Sequence, residues 1–182
     1  MEELPFRRLE APEPRASGVI VLRRLLDGIG FRFHWATEAL RPEDPPYKPT
    51  PGSMSMGELV QHVGGLVRWV AESIGVSGAV LTEVSGELKP VPEQFNSWEG
   101  FVARRAAVLE MVRLARARLG EMSDPDLERV TVRTRGGPVP WGHLVNGPLA
   151  DALTHIGQIN TMRRSNGNPV PRANVFLGTP PA

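Results

Sequence analysis

Proline divides this chain into segments that can be helical and segments that cannot. The stretch 42–52, PEDPPYKPTPG, contains five prolines. Each of them lacks the backbone donor of a helix and clashes with the preceding helical turn. A helix that reaches this stretch must end there, so we predict a linker loop. Residues 1–16 contain three prolines and no apolar periodicity, which predicts an N-terminal arm that lies on the domain or trails from it.

Two amphipathic helices are predicted on either side of the proline-rich loop. Both segments show apolar residues at the three- and four-residue spacings of a core-facing helical stripe. The first helix is predicted to begin near Ser17 and to end before the loop. The second is predicted to run from Ser55 to about Ile74, because Ser55 and Glu58 form a reciprocal capping pattern.

Two further helices are predicted in the second half of the chain. The third is predicted to begin at Asn96 and to end at Gly120. The fourth is predicted to end at Gly167, but Pro148 interrupts its first part. Residues 140–148 therefore either belong to this helix or form a separate turn before it. Together the four segments predict an all-α, up-down four-helix bundle with long loops, formed by residues 1–182 as a single domain.

Two short β-branched stretches are compatible with one small hairpin. Residues 80–84 are compatible with a loop, a short helix or a strand, and residues 129–134, RVTVRT, alternate as a strand does. The two stretches could pair with each other. The C-terminal tail, residues 168–182, is predicted to be extended, with Phe176 and Leu177 anchoring it to the bundle surface.

Composition excludes several classes of site. The chain has no cysteine and only two lysines, Lys48 and Lys89, which excludes thiolate chemistry and disfavours a Schiff-base lysine. Sequence motifs of serine hydrolases, phosphate loops, dinucleotide folds and His-Glu-x-x-His metalloproteases do not occur. No cofactor other than a metal is therefore predicted.

Charge and hydropathy give no indication of a nucleic-acid or membrane partner. The net charge is +1 with interspersed signs, and the arginines of the third helix lack interleaved aromatic residues, so we predict a solvated helix face. The first apolar run, residues 19–22, is too short for a signal segment or a membrane span. Cytoplasmic residence is the resulting expectation.

Two histidines and one aspartate lie on otherwise apolar helical rows. Asp151 and His155 are one turn apart in the fourth helix, and His62 occupies a row of the second helix with Leu59, Leu66 and Val70. Buried ionisable groups need partners, so Asp151 and His155 must contact each other, a third group, a water or a metal. His62 is the obvious third group, whereas His34 and His143 are predicted to be surface residues or to support the site.

Two imidazoles and one carboxylate make a ligand set with open coordination positions. Such a set suits zinc, nickel, manganese or ferrous iron. A metal there would lower the pKa of a bound water or polarise a substrate oxygen or thiol, which fits a hydrolase or a transferase acting on a small molecule. Gln158 either orients a ligand or makes a structural hydrogen bond, and no separate general base is predicted. The simpler alternative is a helical ion pair of Asp151 with His155 and a satisfied His62.

Two segments of the sequence are similar to a known family. The first is SMGELVQHVGG, which contains His62. The second is DALTHIGQINTMRRSNGNP, in which residues 155–158 resemble a His-x-Gly-Gln signature and residues 163–169 resemble the ending of one branch. The family is the DinB/YfiT-like superfamily, and the resemblance extends in helix order over roughly residues 17–177.

This resemblance implies a four-helix bundle, frequently dimeric, whose members often bind a divalent metal. Three histidines bind it, one from the second helix and two spaced four apart in the last helix. Asp151 stands at the position of the first histidine of that last pair, which keeps an oxygen ligand but departs from the pattern. Characterised relatives include thiol-dependent transferases and isomerases, and others are regarded as metal-dependent hydrolases. The departure at Asp151 motivates an alternative, a metal-free, non-catalytic, dimeric binding or stress-associated bundle.

Overall fold

Seven α-helices and one two-stranded antiparallel sheet make up the regular structure of residues 4–86 and 92–182, which a computed structural model describes. The fold is mostly helical, as predicted. The helices are α1 (Gly18–Thr37), α2 (Met56–Ser73), α3 (Gly78–Ser85), α4 (Pro92–Asn96), α5 (Trp98–Gly120), α6 (Asp124–Glu128) and α7 (Ala150–Ser165). The strands are β1 (Thr131–Thr134) and β2 (Gly137–Pro140), and a π-helical turn, Val145–Leu149, precedes α7.

The four longest helices enclose the apolar core. Helix α1 packs on α5 and α7, and α2 packs on the same two helices from the other side. Buried side chains from three of these helices include Leu26, Phe33, Leu59 and Val108, which matches the stripes predicted from the apolar spacing. Within residues 4–86 and 92–182, no helix combines the length and the apolar character that crossing a membrane requires.

Side-chain caps determine where the long helices begin. The Ser17 hydroxyl caps α1, and Ser55 and Glu58 form the predicted reciprocal capping box at the start of α2. The predicted cap of α5 is wrong by one residue, because Ser97 and not Asn96 accepts the hydrogen bond from the first turn. Asn96 instead ends α4, and its side-chain oxygen accepts a 2.7 Å hydrogen bond from the Ser55 hydroxyl.

The segment before α7 forms a separate turn, which was one of the two predicted alternatives. Gly147 has the non-helical angles φ −92° and ψ −112°, and Pro148 lacks the amide that would continue a regular helix. Helix α7 therefore begins at Ala150, and Asp151 lies in its first turn. The end of the helix is also as predicted, because Gly167 follows it with a φ of +70°.

The hairpin forms with a different partner from the one considered in the sequence. Residues 80–84 lie within α3, so the short-helix alternative applies to them, while residues 87–91 lie outside the described residues. Strand β1 pairs with β2, and Val132 faces Val139. A connection of two residues closes this hairpin locally, which costs less chain entropy than pairing with residues some fifty positions away.

The predicted anchoring of the C-terminal tail is wrong. Phe176 is 90% exposed and Leu177 is 68% exposed. The Asn174 side chain accepts hydrogen bonds from the backbone amides of both residues, which closes a tight turn and directs their side chains to solvent. The turn is attached to the N-terminal arm instead, since the Leu9 amide donates a 2.8 Å hydrogen bond to the Gly178 carbonyl.

The N-terminal arm lies along α1 and covers His34. His34 Nδ1 donates to the Pro5 carbonyl at 2.9 Å, and Trp35 Nε1 donates to the Arg7 carbonyl at 3.2 Å. His34 is only 3% exposed, which corrects the prediction of a surface histidine. Burial lowers the pKa of His34, and the nearby charge of Arg105 lowers it further.

The arginines of α5 are less solvated than the sequence predicted. Arg113 is exposed, but Arg105 and Arg116 are half-buried against α1. Arg105 pairs with Glu38, and Arg116 pairs with Asp27. These charges therefore join two helices, which periodicity within one helix cannot reveal.

A fully buried arginine closes the C-terminal end of α1. Arg163 of α7 donates hydrogen bonds to the carbonyls of Trp35, Ala36 and Glu38 at 3.4, 3.1 and 2.7 Å. It also donates to the Asn168 carbonyl at 2.8 Å. The last carbonyls of a helix have no partner within the helix, so Arg163 satisfies groups that would otherwise be buried and unpaired.

Asp44 attaches the proline-rich loop to the residues that follow α7. Its side chain is fully buried and accepts hydrogen bonds from the Arg41 guanidinium at 2.9 Å and from the side-chain amides of Asn166 and Asn168, each at 2.7 Å. Burial alone would raise the pKa of Asp44, but these bonds and that of the Arg41 backbone amide lower it from 3.8 to about 2. We refer to Arg163, Asp44, Arg41, Asn166 and Asn168 as the clamp.

Acid should weaken the clamp through Asp44. Because the pKa of Asp44 is lower in the folded state, its contribution is complete above about pH 4 and is lost as the pH falls to about 2. The difference in pKa corresponds to about 2 kcal/mol in the free energy of unfolding. Urea unfolding should show that the difference in the free energy of unfolding between the parent and Asp44→Asn becomes smaller as the pH falls from about 4 to about 2. Glu43→Gln, a change at an exposed neighbour, should retain the pH dependence of the parent, and a gap independent of pH would contradict this role.

Replacing the buried guanidinium should destabilise the fold. Arg163→Met leaves three carbonyls at the end of α1 without their partner, so we expect a loss of about 3 kcal/mol in the free energy of unfolding. The matched control is Arg164→Met, which changes the exposed neighbouring residue and should shift stability by less than about 0.5 kcal/mol. Equal urea midpoints for the two variants would show that Arg163 is dispensable.

Candidate metal centre

The structure brings the three predicted side chains together where α2 faces α7. His62 comes from the second turn of α2, while Asp151 and His155 come from the first two turns of α7. One ligand-capable atom from each residue lies within 4.8 Å of the others. The four-residue spacing in α7 places its two side chains on one face, and the packing of α2 against α7 supplies His62.

The Asp151 carboxylate bridges the Nε2 atoms of the two imidazole rings. Its Oδ2 is 3.3 Å from His62 Nε2, and its Oδ1 is 3.3 Å from His155 Nε2. The two rings are 4.6 Å apart between centroids and nearly perpendicular, at 85°. Each carboxylate oxygen thus faces one ring nitrogen, and the nitrogens converge on the same small volume.

The centre is more open than the sequence predicted. The side chains of His62 and Asp151 are 41% and 46% exposed, whereas that of His155 is 17% exposed. Because α7 begins at Ala150, Asp151 lies at the end of a helix and not in the middle of a buried row. Two of the three groups therefore remain accessible to solvent and to a ligand.

Gln158 fixes the orientation of the His155 ring. His155 Nδ1 lies 2.8 Å from Gln158 Oε1, and because an amide oxygen only accepts, Nδ1 carries the hydrogen. In the neutral ring Nε2 then presents a lone pair toward the Asp151 carboxylate. Nε2 and the facing carboxylate oxygen are then both hydrogen-bond acceptors 3.3 Å apart, which requires a proton or a cation between them. The three ligand atoms therefore fit a bound cation. The structural hydrogen bond was one of the two roles considered for Gln158.

A cleft of about 570 Å³ opens beside His155 and Gln158. Its walls come from α2, α7 and the loop between α1 and α2, and they include Ser53, Met54, Leu59, Thr154, Thr161 and Met162. Among the lining residues that the structure describes, His155 alone has an ionisable side chain. The cleft therefore offers an apolar surface with several neutral hydrogen-bonding groups next to the metal-ligand set.

Some residues of the site could not be identified from the sequence, and two of the candidate histidines do not belong to the site. Ser53 and Met54 lie between the linker predicted at 42–52 and the helix predicted from Ser55, and a loop path set by tertiary contacts leaves no periodic signal. His34 lies under the N-terminal arm, and His143 is exposed. Neither belongs to the group that Asp151 forms with the other two histidines.

Comparison with known proteins provides no assignment. No family model, no curated protein and no solved structure matches this chain. The chemistry of the centre therefore rests on the geometry of its own side chains.

Proposed function

We propose that His62, Asp151 and His155 hold a divalent metal ion and that the chain is a metal-dependent enzyme acting on a small molecule. The observation that supports this proposal is the convergence of two imidazole nitrogens and a carboxylate within 4.8 Å, at the edge of a cleft. Three protein ligands leave positions open, which is the usual difference between a catalytic and a structural metal site.

The donor set indicates which ions are suitable. Nitrogen and oxygen donors without sulfur suit zinc, nickel, manganese and ferrous iron. An ion of this kind would supply Lewis acidity, by which the pKa of a water or a thiol is lowered and a substrate oxygen is polarised. Both hydrolysis and transfer to a thiol use that property, so these are the two proposed reaction classes.

The protein supplies orientation and a binding surface. Gln158 holds the His155 ring with Nε2 directed toward the centre. The hydroxyls of Ser53, Thr154 and Thr161 donate to backbone carbonyls, so their oxygens remain as acceptors for a substrate. Methionine side chains provide adaptable apolar contacts. Since no arginine or lysine is found among the described lining residues, the proposed substrate is a neutral molecule with an apolar part.

The resemblance to the DinB/YfiT-like superfamily extends this proposal. On that basis α1, α2, α5 and α7 correspond to an up-down four-helix bundle that acts as a homodimer in the cytoplasm. Asp151 replaces one histidine ligand by an oxygen ligand. The second candidate is a metal-free binding bundle, which the exposure of His62 and Asp151 favours, because an exposed His–Asp contact is stable without an ion.

Metal content separates the two candidates. The untagged protein is exposed in turn to zinc, nickel, manganese and ferrous iron, desalted, and subjected to elemental analysis. We expect about one ion per chain, and less than a tenth of that in His62→Ala, Asp151→Ala and His155→Ala. His143→Ala removes an exposed histidine away from the centre and should bind as the parent does.

Activity then tests the reaction class. The loaded protein is assayed with neutral esters and amides, and with neutral electrophiles in the presence of a low-molecular-weight thiol. We expect turnover that is absent in Asp151→Ala. If the folded parent retains no ion, or if the Asp151→Ala variant binds metal and turns over substrate equally well, the metalloenzyme assignment is wrong.

Gln158 should support metal binding without contacting the ion. Gln158→Met keeps a side chain of similar length but removes the acceptor for His155 Nδ1, so the ring is free to rotate or change tautomer. We expect metal affinity to fall by roughly tenfold to a hundredfold, measured by competition with a chelating dye. Thr161→Val, at a nearby position of the same cleft, should leave the affinity unchanged. An unchanged affinity in Gln158→Met would mean that the hydrogen bond does not orient the ligand.

A further inference from the structure

One arginine of α5 differs from the others in its partners. Four of the five arginines in this helix pair with a carboxylate, in the contacts Arg105–Glu38, Arg113–Glu110, Arg116–Asp27 and Arg118–Glu121. Arg104 has no carboxylate partner among the side chains that the structure describes, those of residues 4–86 and 94–182. Its guanidinium is half-buried, so its charge is neither well solvated nor neutralised by a described residue.

The contacts of Arg104 with described residues leave some of its hydrogen-bond donors without a partner. Nη1 donates to the side-chain oxygen of Gln61, and the central carbon lies 4.3 Å from the centroid of the Phe95 ring. Nε is buried and has no hydrogen-bond partner among the described residues. Burial lowers the pKa of Arg104, and no carboxylate with a described side chain opposes this effect. The guanidinium therefore keeps hydrogen-bond donors that no described residue uses, and guanidinium groups bind carboxylates through such donors.

Arg104 is one of the residues that line a cavity of about 490 Å³ between α2, α3 and α5. The cavity lies on the α5 side of α2, whereas the metal centre lies where α2 faces α7. Apolar side chains form much of its wall, including Val84, Ala107, Val108 and Met111, and Ser97 and Gln94 contribute polar atoms. A buried donor of a charged group needs a partner, and this wall accommodates an apolar body next to it.

We propose that this cavity binds a small organic carboxylate, a monoanion whose apolar body lies against α5 and whose carboxylate group pairs with the Arg104 guanidinium. One guanidinium balances one negative charge. A phosphate dianion would keep an uncompensated charge against an apolar wall, which disfavours it. The site is independent of the metal centre, and its ligand is anionic where the proposed substrate of the cleft is neutral.

Calorimetric titration with matched probes tests the proposal. Hexanoate, octanoate, benzoate and phenylacetate are each compared with the neutral amide of the same shape and with inorganic phosphate. We expect at least one carboxylate to bind one-to-one, at least tenfold more tightly than its amide and than phosphate. Arg104→Met should remove this preference. Arg113→Met, an exposed position of the same helix, should retain it.

Two further measurements keep the test decisive. If Arg104→Met lowers the melting temperature, Arg104→Lys is used, since it keeps the charge but lacks the planar guanidinium with its several donors and should also lose the preference. Metal content is measured in the same samples and should be unaffected by any change at Arg104. The proposal is wrong if no carboxylate of the panel binds, if amides or phosphate bind as well, or if the preference survives in both Arg104 variants.

Discussion

The buried guanidinium of Arg163 is the interaction on which the arrangement of the helices depends. Helix α1 ends before a loop with five prolines. A proline-rich segment has few backbone amides that could donate to the unpaired carbonyls of a helix end. Arg163 provides the missing donors from α7, and Asn168 connects it to Asp44 in the loop. The clamp thus holds the end of α7 against the end of α1, while the start of α7, with Asp151, lies next to α2.

The features of the fold that could be predicted are those set by residues close together in the sequence. The starts of α1 and α2 follow from Ser17 and Ser55, because a cap and its helix are neighbours in the sequence. The cap of α5 was missed by one residue, since Asn96 and Ser97 are both good capping residues and only their tertiary contacts differ. At Phe176, apolar character suggested burial, but the turn built on Asn174 directs the side chain outward.

The candidate centre was predictable in its members but not in its setting. Helical periodicity placed His62, Asp151 and His155 on facing rows, and the structure brings them together. Their exposure was not predictable, because it depends on where the turn before α7 ends. The cleft wall from the proline-rich loop and the contact of Arg104 with Gln61 join parts of the chain that no local pattern relates.

The clamp and the cleft differ in how freely their residues can diverge. Asn168 is hydrogen-bonded to both Arg163 and Asp44, so a change at any of the three removes a partner from at least one of the others. These positions should therefore be inherited as a set and should show strong epistasis. Ser53, Met54 and Thr154 have partly or largely exposed side chains on the cleft wall, where single substitutions disturb little else. Descendants of this chain can therefore acquire new ligand preferences one residue at a time while the helices keep their places.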